Sequence, residues 1–160
     1  MTAFDFDFVS IDGDKLPMRA WKGRPVLVVN TASFCGYTPQ YKALEKLWRS
    51  YEARGLVLLG VPSNDFGEQE PGDGATIKKF CATYDVSFPL SRKEEVTGAN
   101  AHPFYKWIVS ELGEGAAPRW NFYKYLVDGE GRLVGNWPSP VEPLSKDIVA
   151  AVEAALPAKS

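Results

Sequence analysis

The chain reads as an α/β protein with a central mixed β-sheet flanked by helices, and three stretches predict it. A continuous β-branched run covers 25–30, a second apolar run covers 56–62, and an amphipathic helical pattern lies between them. Two strands joined through a helix form a parallel βαβ unit with a right-handed crossover. Two further runs, 122–127 and 132–137, flank the turn sequence Asp128-Gly129-Glu130-Gly131 and predict an antiparallel hairpin. At 160 residues the chain is the length of one ordinary domain with a full core, so a single domain over 1–160 is expected.

In chain order, Phe4, Phe6 and Phe8 alternate with Asp5 and Asp7, the period of a half-buried strand, and Asp12-Gly13 offers a tight turn. The opening is therefore expected to be a β-hairpin. Pro25-Val26-Leu27-Val28-Val29-Asn30 suits a strand covered on both faces. Thr38 is placed to cap a helix, with Pro39 at its first position. Tyr41, Leu44, Leu47, Trp48 and Tyr51 then recur at helical spacing, with Lys42, Glu45, Lys46 and Arg49 on the other face, and Gly55 ends the helix. After the 56–62 strand, the acidic, Gly- and Pro-marked stretch 65–74 is a loop. A helix over 77–84 carries Cys81 one turn after Ile77, and a last helix over 142–156 lines up Leu144, Ile148, Val152 and Leu156. The order βαβ then ββα, behind an extra hairpin, is the thioredoxin arrangement, with 75–119 inserted between its halves.

Composition excludes several functions. Hydrophobic residues at 45% and charged residues at 24% indicate an ordinary globular chain. A net charge of −2 with scattered basic residues argues against nucleic-acid binding. No apolar stretch approaches the roughly 20 residues that span a bilayer, so membrane insertion is not expected. The opening Met1-Thr2-Ala3-Phe4-Asp5 lacks the basic start and apolar run of an export signal, which predicts a cytoplasmic protein. In that compartment the two cysteines, Cys35 and Cys81, read as reactive thiols rather than a structural staple. With one histidine, His102, and no close cysteine pair, neither a metal site nor a cofactor is indicated.

Cys35 carries the chemistry. It lies where a buried strand gives way to a helix, and unpaired backbone N–H groups and the positive end of a helix dipole favour a thiolate there. Open α/β sheets place their sites at this strand edge. The frame Cys35-Gly36-Tyr37-Thr38 lacks the second thiol of a Cys-x-x-Cys pair, so direct dithiol exchange at the turn is excluded. Attack on a hydroperoxide fits instead, leaving a sulfenic acid on Cys35 and releasing water or an alcohol. Uncharged N–H donors would hold both the sulfur anion and the departing oxygen, by the logic of an oxyanion hole. Gln69, Trp120 and Asn121 offer such donors.

The segments NTASFCGYTPQY, NDFGEQEPG and RWNF, in this order and at this separation, resemble the three signature blocks of the glutathione peroxidase family, and the likeness runs from about Phe6 to Leu156. The resemblance implies a catalytic tetrad of Cys35, Gln69, Trp120 and Asn121, with sulfur where some members use selenium. It implies reduction of hydrogen peroxide and of organic or lipid hydroperoxides in defence against oxidative stress. The second block opens Pro62-Ser63-Asn64-Asp65, without a cysteine often found there, and the residues with which tetrameric members build subunit contacts are missing. A monomer, or at most a dimer, is implied.

In thioredoxin-dependent members a second cysteine on the helix after the second block attacks the sulfenic acid, and Cys81 lies near that position. Cys81 is therefore the candidate resolving residue, with thioredoxin or glutathione as reductant. Plainer readings stand beside these. A lone buried cysteine is more often packing than nucleophile, which weighs on Cys81 beside Phe80. Trp120 could fill core, Asn121 could orient a turn, and His102 is given a structural or surface role. A peroxide sensor that passes its oxidation to a partner, and an inert thioredoxin-like module, are the rival functions.

Overall fold

A computed structural model describes residues 1–157; the last three residues of the domain expected over 1–160 lie outside the described residues. The sheet is built on β3 (Val26–Thr31), buried at every position and paired on both sides. Its parallel neighbour β4 (Val57–Pro62) is reached through α1 (Gln40–Tyr51), and its antiparallel neighbour β5 (Lys124–Val127) continues into β6 (Leu133–Trp137), giving the order β4-β3-β5-β6. The expected mixed sheet is thus present. A separate two-stranded sheet, β1 (Asp7–Val9) with β2 (Lys15–Pro17), forms the N-terminal hairpin.

Side chains alternate across the sheet and divide the core. Val26, Val28, Val57, Leu59, Val61, Tyr125 and Val127 face a layer made by Phe4, Phe6 and Phe8 and by α3 (Pro103–Leu112). Leu27, Val29, Leu58 and Leu126 face α1, α2 (Gly74–Ala82) and α4 (Lys146–Ala155). Strand period 2 thus sends successive residues to two helical layers.

Several boundaries differ from the sequence reading. Phe4 belongs to a 3₁₀ turn, Ala3–Asp5, capped by Thr2, so only the later part of the Phe/Asp alternation is strand. Thr38 does not cap α1: Pro39 occupies the cap position without a side-chain bond, and the Thr38 hydroxyl is used inside the Cys35 turn. Glu45 is not on a solvated face; it is 5% exposed and its carboxylate accepts both the N–H and the O–H of Ser87. The α2 helix starts earlier than expected because the Asp73 carboxylate accepts the Thr76 N–H. Likewise α4 starts late, at a Ser145 cap, and leaves Leu144 outside the helix and 41% exposed.

The inserted segment holds α3, whose apolar periodicity at Phe104, Tyr105, Trp107 and Ile108 follows a proline at its start. His102 is its cap. Nδ1 accepts the Phe104 N–H, Nε2 bonds the Asp7 carbonyl, and the ring stacks on Phe8 at 4.0 Å, a structural role.

Candidate active site

The end of β3 sets Cys35 in place. After Thr31 the chain leaves the sheet through Ala32 and Ser33, both buried, to Phe34, which is 63% exposed, and half-buried Cys35. Thr38 braces this turn: its Oγ1 accepts the Cys35 N–H at 2.9 Å and donates to the Ala32 carbonyl at 2.9 Å, while its own N–H donates to the Cys35 carbonyl. With the backbone of Cys35 so occupied, the Tyr37 N–H is left to donate to Sγ, at 3.3 Å. That is the unpaired N–H expected where a chain enters a helix.

The loop after β4 carries Gln69 to this turn. Its backbone carbonyl accepts the Phe34 N–H at 3.0 Å, which fixes it one residue from Cys35. Gly67 and Glu68 both take positive φ, +66° and +54°. A Cβ at Gly67 would stand 2.9 Å from the Trp120 ring, so glycine is needed there for space as well as for conformation. The third segment is tied to β3 through Asn30, whose Nδ2 donates to the Trp120 carbonyl at 2.9 Å and whose carbonyl accepts the Phe122 N–H. Trp120 packs on Phe66, with ring centroids 6.0 Å apart.

Gln69 and Asn121 meet directly. Asn121, fully buried, donates from Nδ2 to Gln69 Oε1 at 2.8 Å. That bond occupies the acceptor end of the Gln69 amide and leaves its Nε2 free to donate. Among the described residues no side-chain N–H of Gln69, Trp120 or Asn121 donates to Sγ; the one hydrogen bond to the sulfur is from Tyr37. The structure therefore ties the Gln69 loop to the Cys35 turn and the Trp120-Asn121 segment to β3 and to Gln69, through backbone bonds and one amide pair. Beside the turn, Tyr37, Trp120, Tyr123, Pro138 and Pro140, with Arg119 and Ser139, line a hollow of about 210 Å³.

Cys81 lies apart from solvent, 2% exposed near the end of α2. Burial pushes its thiol up to about 11; the facing Tyr41 hydroxyl opposes this, and the charge of Glu70 adds to it. Both cysteines are free thiols. Phe34 and Phe80, the residues before them, have ring centroids 6.0 Å apart. Sequence reasoning expected an unpaired backbone N–H at the thiol without naming Tyr37, and it missed the Thr38 brace, because both details depend on the turn's conformation rather than on residue type. It also gave no sign that Glu70 would be buried, since the acidic stretch 65–74 holds Asp65 and Glu68 as well. Among the described residues no cluster of His, Cys, Asp and Glu could hold a metal ion, and no helix is long and apolar enough to cross a membrane.

A thiol at the entry to α1, beyond the carboxyl end of a strand at the centre of a β4-β3-β5-β6 sheet, defines a thioredoxin-fold thiol protein. In fold alone the chain is similar to a thiol:disulfide interchange protein of the thioredoxin family from Chlorobium tepidum TLS, with a TM-score of 0.69 and 18% identity over 94% of this chain and 92% of that one. Residues 3–109 match the glutathione peroxidase family model. The hydroperoxy fatty acid reductase gpx1 of Synechocystis sp. is 42% identical, covering 95% of this chain and 94% of that protein. The crystal structure of Trgpx in apo form has a TM-score of 0.75 and 34% identity, covering 96% of each chain. The chain belongs to the glutathione peroxidase family, and it is a peroxidase of the oxidoreductase class.

Proposed function

We propose that the protein reduces hydrogen peroxide and organic or lipid hydroperoxides at Cys35. The thiolate attacks one peroxide oxygen, the O–O bond breaks, and the other oxygen leaves as water or an alcohol after taking up a proton; Cys35 becomes a sulfenic acid. Gln69 and Trp120 serve as the uncharged donors for the anionic sulfur and the departing oxygen, and Asn121 holds the Gln69 amide for that role. The observation that supports this reading is the Asn121 Nδ2 to Gln69 Oε1 bond of 2.8 Å, together with the tie from Gln69 to Phe34, because it leaves an amide N–H free on a residue whose backbone is bonded to the neighbour of Cys35.

An exposed Phe34 and the aromatic and proline-lined hollow next to Tyr37 favour apolar hydroperoxides among the substrates. The fatty acid hydroperoxides named for the Synechocystis relative fit this approach. Cys81 then resolves the sulfenic acid by closing a disulfide with Cys35, and thioredoxin or glutathione returns both thiols. The protein acts as a monomer, or at most a dimer.

A coupled assay of peroxide consumption with each reductant tests the cycle. Cys35→Ser is expected to be inactive with both, and Cys81→Ser to lose thioredoxin-linked turnover only. Retained thioredoxin turnover in Cys81→Ser shows that Cys81 is not the resolving residue. Rapid oxidation of Cys35 with slow recycling by both reductants turns the reading toward a redox relay.

A further inference from the structure

The sulfur of Cys35 does the work of a helix cap. In a capping residue the side chain accepts a backbone N–H of the first turn, and the carbonyl accepts the first bond of the helix. Cys35 does both: Sγ accepts the Tyr37 N–H at 3.3 Å, and its carbonyl accepts the Thr38 N–H at 3.0 Å. Tight turns then follow one another, from the Tyr37 carbonyl to Gln40, from that of Thr38 to Tyr41 and from that of Pro39 to Lys42, and lead into α1. Pro39 stands at the start of α1 itself, and Cys35 caps the tighter turn ahead of it.

A capping box has a second half, in which the third residue after the cap accepts the cap's own N–H on its side chain. Thr38 is that residue here, with Oγ1 at 2.9 Å from the Cys35 nitrogen. Cys35-Gly36-Tyr37-Thr38 is thus a capping box with sulfur in place of the usual cap hydroxyl and threonine in place of the usual glutamate or glutamine. The second replacement matters for an anionic sulfur, since a glutamate would set a negative charge beside it and a hydroxyl adds none. Thr38 is 4% exposed, and its one hydroxyl proton is committed to the Ala32 carbonyl at 2.9 Å. The hydroxyl therefore gives no proton to Sγ and reaches the sulfur only through the backbone of the turn.

We propose that Thr38 is a positioning residue for the reaction of Cys35, its hydroxyl closing the box so that the Tyr37 N–H stays on the sulfur. This rests on the reading of Cys35 as the attacking thiol. Without Oγ1, both the Cys35 N–H and the Ala32 carbonyl lose the partner that fixes them, at a place where Ala32 and Thr38 are buried. The turn must then rotate to satisfy them, and the Tyr37 N–H leaves its line to Sγ. A hydrogen bond to the ionised form of a group favours that form, so the loss is felt by the thiolate.

Thr38→Val keeps the side chain's shape and removes the hydroxyl. Three quantities are measured on reduced protein at neutral pH: exchange of the Tyr37 amide proton by NMR, the ultraviolet thiolate band, and stopped-flow oxidation of Cys35 by hydrogen peroxide. In Thr38→Val the Tyr37 amide is expected to exchange about tenfold faster, the thiolate band to weaken and oxidation to slow about tenfold. Thr38→Ser restores the hydroxyl and is expected to return all three to the unmodified values. Unaltered Tyr37 exchange or an unaltered oxidation rate in Thr38→Val overturns the proposal, and so does an equal loss in Thr38→Ser, which would assign the effect to packing of the methyl group. Should Thr38→Val fail to fold by near-ultraviolet circular dichroism, Thr38→Ser decides: the unmodified rate is expected, and a tenfold loss overturns the proposal. Failure of hydrogen peroxide to oxidise Cys35 in the unmodified protein overturns the reading of Cys35 and this proposal together, whereas an unaltered rate in Thr38→Val overturns this proposal alone.

Discussion

The Phe34 and Phe80 rings, 6.0 Å apart, link the residue before Cys35 to the residue before Cys81. The proposed bond between the two sulfurs needs Cα atoms within about 7 Å and Cβ atoms turned toward each other, and Cys81 starts from a buried place near the end of α2. The end of α2 is built for release. Val86 N–H donates to the Cys81 carbonyl and Asp85 N–H to that of Ala82, the paired bonds of a Schellman closure. The left-handed residue that this closure demands is Asp85, at φ +56°, where glycine is the unstrained choice.

Asp85→Gly is therefore expected to tighten this turn by about 1 kcal/mol, raising Tm by roughly 2–4 °C for a domain of this size. The same change is expected to slow Cys35–Cys81 closure severalfold, read by quenched mass spectrometry beside a melting curve. A higher Tm with an unaltered closing rate shows that Cys81 reaches Cys35 without opening this turn.

Gln69 and Asn121 form one unit, since Asn121 spends its Nδ2 on Gln69 Oε1. Gln69→Ala removes the donor itself and is expected to lower the rate of Cys35 oxidation about a hundredfold, the scale of one oxyanion-hole donor. Asn121→Ala frees the amide to turn and is expected to cost less. The double variant is expected to match Gln69→Ala alone, because a partner that acts only through Gln69 has nothing left to orient. Stopped-flow oxidation with hydrogen peroxide measures all three, and additive losses show that Asn121 reaches the reacting atoms on its own.

The sheet and the Cys35 turn were legible because they rest on local pattern: Val26-Leu27-Val28-Val29 admits little other than a buried strand, and β4 repeats it. The reach of Gln69 and Asn121 to one another is a tertiary fact, and the segments Asn64–Gly72 and Arg119–Phe122 pointed to it through residue type and family likeness alone. Thr38 shows why the rest was hidden. A threonine before proline has the sequence of a helix cap, yet here the Cys35 N–H and Ala32 carbonyl compete for the hydroxyl and win. Glu45 misled in the same way, since its place on the polar stripe of α1 said nothing of Ser87 arriving from a distant loop.

Lys124 is the remaining buried charge with a measurable signature. It is fully buried on β5, and its Nζ donates to the Ser139 carbonyl at 3.1 Å, which Gln40 Nε2 also reaches at 2.8 Å. Burial lowers its ammonium to about 7, with the charge of Glu142 opposing. An unfolded lysine holds its proton to about pH 10.4, so above pH 7 the unfolded chain binds more protons and stability rises with pH. Cys81 acts the other way once the unfolded thiol ionises near pH 8.5, because the folded thiol stays protonated to about 11. The window in which Lys124 is read before Cys81 opposes it is therefore pH 7 to 8.5, with Lys124→Met separating it from the other thiol. Urea unfolding there is expected to show stability climbing by at most about 1.4 kcal/mol per pH unit. Lys124→Met removes the titrating amine and leaves Gln40 on the Ser139 carbonyl, so its stability is expected to be level across the same window. An equal climb in the variant assigns the pH dependence to another group.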